Sequence, residues 1–319
     1  MGNGSCIQTL VVMEYQEYGA WLKEQLGAKV QKISVNAGFT CPNRDGRVGW
    51  GGCTFCNNQT FVPEYGHPQK TITEQLEDGK RFFARKYPEM KYLAYFQAYT
   101  NTYGDIDHCI ACYEEALSVP DVMGLVVGTR PDCMPDALLD YFEELNRRTF
   151  LMIEYGVESA NDETLRRINR GHTFADSERA IRRTAGCGIR VGAHVILGLP
   201  GEGRDELRRQ ASVVGELPLT TLKLHQLQII RGTQMQKEWQ EHPWPLPSVE
   251  EYVDWVIDYV TQFSARRSEV LPEWPPCVFE RFVSSSPSSL LVAPKWGLKN
   301  HEFTDLLRKR LSITCRSCR

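Results

Sequence analysis

The 319-residue sequence lacks the features that would indicate a membrane or a secreted protein. No apolar stretch approaches the roughly 18 residues that a transmembrane helix needs. The longest early one, Leu10 to Met13, is too short for the core of a signal peptide. The sequence also contains neither an internal repeat nor a low-complexity tract. We therefore expect a cytoplasmic protein with no membrane association.

The sequence also lacks a strong excess of either charge. It has 37 Lys and Arg residues against 40 Asp and Glu residues, which gives a formal net charge of -3. The basic residues occur in short scattered pairs such as Arg166-Arg167 and Arg208-Arg209. This balance gives no electrostatic indication of a nucleic-acid-binding protein, although a local basic patch can still form on folding.

Cysteine, by contrast, is abundant. The sequence contains 11 cysteines, an odd number, and no export signal is visible. Disulfides belong mainly to secreted proteins, so clustered cysteines in this chain are better explained by metal ligation or thiol chemistry.

Strand and helix patterns alternate over most of the chain. Predicted strands begin at six positions: Lys29, Tyr92, Val122, Leu151, Val191 and Thr221. Such alternation predicts an α/β fold with a parallel sheet, either doubly wound or curled into a full or partial barrel, with the ligand at the carboxyl ends of the strands. We predict a core barrel over residues 1–242. Residues 243–319 form a C-terminal extension, with a helix from Ser248 to about Ser264 and a mixed tail.

A long loop, at about residues 39–69, separates the first strand from the next helix. A loop of this length in a compact domain is uncommon unless it has a function. It contains Cys41, Cys53 and Cys56, with glycines that let the backbone wrap around an inorganic group. On a four-iron cubane, three thiolates leave one iron open to a chelating molecule such as S-adenosylmethionine. A structural zinc ion, with His67 as a fourth ligand, fits the spacing equally well.

Longer motifs surround these cysteines and follow the later strands. They are GFTCPNRDGRVGWGGCTFCNNQTF, YLAYFQAYTNTY, VGTRPDC, YGVESANDETLRRINRGH, VILGLPGE and LKLHQLQIIRGT. From about Tyr18 to about Thr304, the sequence resembles radical S-adenosylmethionine (radical SAM) proteins of the YhcC type, which belong to the Elp3-like branch of that superfamily. The resemblance implies a partial (β/α)6 TIM-type barrel with a C-terminal helical or mixed extension, one [4Fe–4S] cluster and bound S-adenosylmethionine.

The resemblance also implies roles for single residues. The three loop cysteines would be the cluster ligands. Phe55 would pack near the adenine of S-adenosylmethionine, and Gln226 would lie near the same base. Gln97 occupies the place of a glycine-rich motif that binds the methionine amino group. Gly198 would let the backbone pass close to the adenine, although it also fits an ordinary strand-to-helix turn.

Two polar pairs complete this cofactor site. By the same resemblance, Glu158 and Ser159 would reach the ribose and the carboxylate of S-adenosylmethionine, and Arg170 and His172 would bind its carboxylate. Each pair has a structural alternative. Glu158 can stabilise a helix N-terminus through the helix dipole. His172 can be a loop histidine that bonds to its own backbone.

Among the remaining cysteines, Cys133 is the candidate for a catalytic role. It follows the third strand in the segment Thr129-Arg130-Pro131-Asp132-Cys133, which would face the open end of the barrel. There Arg130 could hold an anionic substrate and Cys133 could trap or quench a substrate radical. An inert turn cysteine is the alternative.

Two further Cys-x-x-Cys pairs lie outside these motifs. Cys109 and Cys112 share one face of a predicted helix, where a metal or redox role competes with simple burial. Cys315 and Cys318 lie at the C-terminus, where an auxiliary cluster would need further thiols and a frayed tail is the simpler interpretation.

Together the patterns predict an enzyme that uses a [4Fe–4S] cluster to cleave S-adenosylmethionine to a 5′-deoxyadenosyl radical, which acts on an unidentified substrate. A transfer RNA and a small metabolite are both candidate substrates, although the balanced charge does not favour nucleic acid. We expect a reducing partner such as flavodoxin or ferredoxin. The alternative is a non-enzymatic metal protein with a structural zinc or a redox-sensing iron–sulfur site.

Overall fold

Seven strands form one parallel sheet, in the order β1-β2-β3-β4-β5-β6-β8. The structure is a computed structural model that describes residues 17–60, 62–85 and 89–317. The seven strands are β1 (Val30–Val35), β2 (Lys91–Phe96), β3 (Val122–Thr129), β4 (Phe150–Glu158), β5 (Arg190–Leu197), β6 (Thr221–Gln226) and β8 (Val278–Arg281). Two short strands, β7 (Ile229–Ile230) and β9 (Leu291–Ala293), pair with each other in antiparallel fashion.

Helices connect the strands and cover the outside of the sheet. They are α1 (Tyr18–Leu26), α2 (Ile72–Ala84), α3 (Ile106–Ser118), α4 (Asp136–Asn146), α5 (Asp162–Arg167), α6 (Phe174–Gly186), α7 (Arg204–Gly215), α8 (Gln234–Glu241), α9 (Val249–Val270) and α10 (Asn300–Ser317). Within the described residues, none of them combines the length and the apolar character needed to cross a membrane.

Local sequence explains where several helices begin. The sequence Thr71-Ile72-Thr73-Glu74 predicts a capping box at the start of α2, and this box is present. The Thr71 side chain accepts a hydrogen bond from the backbone N–H of Glu74, and the Glu74 carboxylate accepts one from the backbone N–H of Thr71. Ser248 and Glu251 form the same arrangement at the start of α9. Each box satisfies backbone N–H groups that the first helical turn leaves without partners.

The central strands are buried on both faces, which explains their nearly continuous apolar sequences. In β3, every residue from Gly124 to Thr129 is buried, and in β4 the buried run extends from Phe150 to Tyr155. Their outward side chains pack against the helices, and the inward ones face the interior of a curled sheet. We call this interior the lumen.

The curled sheet remains open between its two edge strands, β1 and β8. An ion pair crosses this opening, because Lys32 Nζ of β1 lies 2.8 Å from Glu280 Oε2 of β8. Helix α1 closes the amino-terminal end of the lumen, where Trp21 and Leu22 pack with apolar side chains that include Met152 of β4. The lumen therefore has an apolar floor and opens toward the carboxyl ends of the strands.

The partial α/β barrel predicted from the sequence is confirmed, with three differences in detail. The sixth strand, predicted over Thr221 to Ile229, ends at Gln226, because the chain turns before β7. Helix α9 continues to Val270, beyond the predicted end at Ser264. The extension also supplies the seventh strand, β8, which pairs in parallel with β6. The division of the chain at residue 242 stays a prediction.

Candidate functional site

The three loop cysteines lie in a series of turns between β1 and α2. The carbonyl oxygen of Cys41 accepts backbone hydrogen bonds from Arg44 (2.8 Å) and Asp45 (3.3 Å), and the carbonyl oxygen of Cys53 accepts one from Cys56 (3.0 Å). Before Cys53, Gly52 has a φ of +82°, a left-handed conformation that favours glycine. These turns bring the cysteines to the carboxyl end of the sheet.

The chain between α5 and α6 holds this loop in place. Asn169 Nδ2 donates a hydrogen bond of 2.8 Å to the carbonyl oxygen of Gly52. The backbone N–H of Thr54 donates to the carbonyl oxygen of Ile168 at 3.0 Å. The loop that follows β4 therefore positions the cysteine loop, although more than 100 residues separate them in the sequence.

Polar side chains approach two of the cysteine sulfur atoms. Arg170 Nη1 lies 3.4 Å from Cys53 Sγ, and Asn58 Nδ2 lies 3.7 Å from Cys56 Sγ. Arg44 Nη2 donates to the carbonyl oxygen of Cys56 at 3.0 Å. Burial and the neighbouring Cys53 raise the pKa of the Cys56 thiol to about 11, so metal binding there must release a proton.

A cavity of about 1030 Å³ opens beside the cysteines and extends into the lumen. Eight of the predicted site residues line it: Cys41, Cys53, Phe55, Cys56, Gln97, Glu158, Arg170 and Gln226. The side chains of these predicted residues therefore meet at one surface. They come from five parts of the chain: the cysteine loop, the end of β2, β4, β6, and the loop after α5.

Within this group, Glu158 and Arg170 form an ion pair. Glu158 Oε1 lies 3.6 Å from Arg170 Nη2, and the same nitrogen donates to the carbonyl oxygen of Gly156 at 2.6 Å. Glu158 adopts a φ of +68°, which is uncommon for a residue with a side chain. Such strained conformations occur most often at functional sites.

Gln226 lines the cavity, but its amide group already has partners. Its Nε2 donates to the carbonyl oxygen of Ser284 at 2.8 Å, and its Oε1 accepts from the backbone N–H of Ser284 at 2.7 Å. Gln226 thereby fixes the loop after β8 over the cavity.

Four other predicted residues lie outside the set that lines the cavity. Ser159 is fully buried behind β4, where its hydroxyl donates to Glu202 Oε1 at 2.5 Å. Gly198 has a φ of +88° in the turn after β5, and a Cβ there would lie 3.2 Å from Trp255. These two residues shape the turns at the strand ends.

His172 and Cys133 are the other two. His172 Nδ1 lies 3.0 Å from the carbonyl oxygen of Thr173, so the ring bonds to the backbone of the next residue. Burial, and next the charge of Arg170, lower the pKa of His172 to about 3, which keeps the ring neutral. Cys133 ends a short 3₁₀ turn, and burial raises its pKa to about 12. It is therefore a thiol rather than a thiolate at neutral pH.

Cys109 and Cys112 lie away from the cavity lining. Both are buried in α3, where Cys109 packs in the main apolar core. Cys315 belongs to α10, and Cys318 lies outside the described residues.

Sequence reasoning missed a group of charged side chains deeper in the lumen. They are Lys32, Tyr95, Glu154, His194, Lys223 and Glu280, and all of them line the same cavity. A signal was present, because single charged residues interrupt apolar strand sequences such as LMIEYGVE and TLKLHQ. At alternate positions of a barrel strand, such residues face the lumen.

The arrangement around the cysteines fits an inorganic cluster. The sulfur atoms of Cys53 and Cys56 lie near Arg170 and Asn58, and hydrogen bonds of this kind stabilise cluster thiolates and adjust their potential. Within the described residues, no three His, Cys, Asp or Glu side chains are placed to hold one metal ion. A zinc ion requires every one of its ligand atoms to lie within about 2.3 Å of the metal. His67, the proposed fourth zinc ligand, is exposed and lies outside the cavity lining.

A partial parallel barrel with three cysteines in the loop after its first strand defines the radical SAM class of enzyme. Residues 39–211 match the Radical SAM superfamily, and residues 219–312 match the Radical_SAM C-terminal domain. The chain belongs to this superfamily, whose members are enzymes that use a [4Fe–4S] cluster and S-adenosylmethionine.

Close relatives specify the branch. The chain is 37% identical over 292 residues to the protein YhcC of Escherichia coli, covering 91% of this chain and 88% of that protein. It is 35% identical over 297 residues to the uncharacterized protein YtqA of Bacillus subtilis, covering 93% and 89%. The chain is thus a radical SAM enzyme of the YhcC type.

Solved structures agree with this fold. The chain is similar to the archaeal Methanocaldococcus infernus Elp3 with an N-terminal deletion, with a TM-score of 0.64 and 18% identity over 92% of this chain and 64% of that one. It is also similar to methylornithine synthase, with a TM-score of 0.51 and 12% identity over 96% and 95% of the two chains.

Proposed function

We propose that Cys41, Cys53 and Cys56 hold a [4Fe–4S] cluster and that the enzyme cleaves S-adenosylmethionine on it to start a radical reaction on a substrate. When bound, the reduced cluster supplies the electron that breaks a carbon–sulfur bond of S-adenosylmethionine and releases methionine. One observation carries this proposal: all three cysteines and the Glu158–Arg170 ion pair line the same cavity.

The side chains around the cavity support specific roles toward S-adenosylmethionine. We assign Glu158 and Arg170 to its charged groups, because together they offer a carboxylate and a guanidinium at one surface. Phe55 offers a ring for the adenine, and Gln97 offers an amide at the end of β2. Gln226 acts through the loop that it holds, since Ser284 occupies both sides of its amide.

Ser159, His172, Gly198 and Cys133 support the site from outside. Ser159 connects the end of β4 to Glu202, and His172 follows Arg170 in a buried turn. We infer from their positions that these residues hold the strand ends in place rather than contact S-adenosylmethionine directly. For Cys133, the raised pKa and the position outside the cavity lining favour the inert turn cysteine.

The substrate class is open between RNA and a small molecule. A relative from Methanocaldococcus jannaschii is named tRNA uridine(34) acetyltransferase, and it is 23% identical over 270 residues, which cover 81% of this chain and 46% of that protein. This relation supports a tRNA substrate. The formal net charge of -3 does not support binding through the phosphate backbone. A flavodoxin- or ferredoxin-type protein is the proposed electron donor.

The test is an anaerobic assay. The cluster is reconstituted, dithionite and S-adenosylmethionine are added, and 5′-deoxyadenosine and methionine are measured. We expect both products with the wild type and neither with a Cys53→Ala, Cys56→Ala variant, because that variant retains only one cluster ligand. Cys187→Ala is the matched control, since Cys187 follows α6 outside the cavity lining.

Iron, sulfide and zinc contents of the same preparation distinguish the alternatives. Bound zinc without sulfide would support the structural-zinc alternative. An intact cluster that never cleaves S-adenosylmethionine would support a redox sensor and contradict the proposed function.

A further inference from the structure

The charged side chains of the lumen form a layer between the cysteines and the apolar floor. Glu154 of β4 is the centre of this layer, because its carboxylate has four donors. Lys32 Nζ lies 2.7 Å from Oε1, and Lys223 Nζ, the Tyr95 hydroxyl and His194 Nε2 lie 2.6, 2.7 and 2.9 Å from Oε2. Oε1 of Glu154 therefore has one donor and Oε2 has three.

The charges of this layer cancel one another. Glu280 of β8 accepts from Lys32 at 2.8 Å and from Lys223 at 3.2 Å, so two lysines face two carboxylates. Barrel interiors are usually filled with branched apolar residues. Replacing a buried ion pair with apolar residues is often neutral or stabilising. Stability alone therefore does not explain why this layer is polar.

His194 keeps one ring nitrogen available to a ligand. Burial raises the pKa of Glu154, but Lys223 and Lys32 outweigh it and hold that pKa well below its usual range. An ionised carboxylate only accepts hydrogen bonds, so the His194 Nε2–H must be the donor. The other ring nitrogen, Nδ1, has no hydrogen bond to any residue that the structure describes, so it is free to hydrogen-bond to a ligand.

A second imidazole stands beside the first. The rings of His194 and His225 have their centroids 5.6 Å apart, and both residues line the cavity. His225 Nε2 is buried and has no hydrogen-bond partner among the described residues. Burial, and next the neighbouring His194, hold the pKa of His225 well below its usual range, so this ring is neutral. Buried polar atoms normally have partners.

The neighbouring strand leaves room in front of these rings. Gly156 of β4 is in register with His194 of β5, and Gly128 of β3 is in register with Glu154. A Cβ at Gly156 would lie 2.5 Å from Glu158 Oε1, so a side chain there would fill this part of the cavity. Glycine at this position keeps the lumen open between the charged layer and the cysteines.

We propose that His194 and His225 bind the substrate, and that this substrate is a small molecule with a polar group that hydrogen-bonds to Nδ1 of His194. His194 lies three residues before the end of β5, which is about 10 Å below the rim along the strand. A small molecule reaches this depth directly, whereas RNA would first have to extrude a nucleotide.

This inference rests on the proposed function, and the test separates the two. Cells are grown in D2O, and their dialysable small molecules and their RNA are isolated as two deuterated fractions. Each fraction is added to the anaerobic assay, and deuterium in 5′-deoxyadenosine is measured by mass spectrometry. A single deuterium in otherwise unlabelled 5′-deoxyadenosine arises only if the hydrogen atom was taken from a molecule of the added fraction. Any deuterated S-adenosylmethionine carried in the small-molecule fraction gives 5′-deoxyadenosine with several deuterium atoms, and this product is counted separately by its mass.

We expect deuterium from the small-molecule fraction and none from the RNA. In a His194→Phe variant, the deuterium incorporated falls about tenfold, the loss expected for one missing hydrogen bond in a desolvated site. His242→Gln is the matched control, because His242 is exposed and lies outside the cavity lining. Deuterium from the RNA, or unlabelled 5′-deoxyadenosine with both fractions, overturns the proposal.

A second measurement needs neither turnover nor a variant. Diethyl pyrocarbonate modifies accessible neutral imidazoles, and peptide mass spectrometry reports the extent at His194 in the reconstituted wild-type enzyme. The small-molecule fraction should slow the reaction at His194 and leave His242 unaffected. Equal rates at His194 with and without the fraction contradict the site. If no 5′-deoxyadenosine forms, the proposed function has failed and this measurement decides the lumen site alone.

Discussion

Glu158 combines a strained backbone with a side chain directed at Arg170. Its φ of +68° lies in the left-handed region, where a residue with a Cβ is disfavoured by about 1–2 kcal/mol. Its carboxylate lies 3.6 Å from Arg170 Nη2 at the edge of the cavity. A residue retained at such a position is better explained by ligand binding than by stability.

A comparison of two substitutions tests this explanation. Both Glu158→Ala and Glu158→Gly remove the carboxylate, but only glycine relieves the strain. Glu158→Gly should therefore unfold with a free energy about 1 kcal/mol higher than Glu158→Ala, measured by urea denaturation. Both variants should bind S-adenosylmethionine about tenfold more weakly than the wild type. An alanine variant as stable as the glycine variant would show that the backbone is unstrained.

His172 should make the protein sensitive to acid. Its pKa is lowered by burial to about 3 in the folded state, against roughly 6.5 in the unfolded chain. As the pH falls below 6.5, the unfolded state binds a proton that the folded state excludes, so the stability falls. Between pH 7 and pH 5.5, the free energy of unfolding of His172→Gln should fall by about 1 kcal/mol less than that of the wild type. Urea denaturation at the two pH values measures the difference. Exposed His242→Gln should follow the wild type.

At the level of residues, the sequence was most informative where a role depends on nearby residues. The three cysteines and Phe55 lie within one loop, so their spacing predicted their grouping. Ser159 and Gln226 differ, because their hydrogen-bond partners, Glu202 and Ser284, lie 43 and 58 residues away. Only the folded chain shows that these polar groups are already satisfied.

Among the elements, α9 shows what sequence patterns miss. Its start at Ser248 was predicted, but its last two turns are rich in polar residues and were assigned to the mixed tail. Arg267 explains why the helix continues. This buried side chain donates to the carbonyl oxygens of Leu217, Leu219 and Pro275 at 2.8 to 3.0 Å, and so joins α9 to the barrel.

Removing this side chain should therefore be costly. Arg267→Met leaves three carbonyl oxygens without their donor, and we expect the free energy of unfolding to fall by about 3 kcal/mol. The neighbouring Arg266 is partly exposed and pairs with Glu216 and Glu269, so Arg266→Met should cost less than about 1 kcal/mol. Urea denaturation of both variants measures the difference. Equal losses would contradict a structural role specific to Arg267.

The seventh strand, β8, was missed for a related reason. Val278–Arg281 is short, follows Pro275 and Pro276, and ends in two charged residues. Its pairing with β6 is specified by the open edge of the barrel rather than by its own apolar pattern. The first six strands were predicted because each contains its own apolar run.

In the whole molecule, the ends of the sheet are far apart in the chain and close in space. Lys32 of β1 and Glu280 of β8 are separated by 248 residues, and their side chains meet at 2.8 Å. An ion pair across the opening of the sheet therefore links the beginning of the core to the extension. A boundary at residue 242 describes the sequence motifs, but one sheet spans it.

The late position of β8 has a consequence for biosynthesis. A ribosome releases β1 and the cysteine loop first, and β8 follows only after most of the chain has been translated. Until then the outer edge of β6 has no partner strand, and such an edge can pair with another chain. The nascent protein would thus pass through an interval in which its lumen is open along one side.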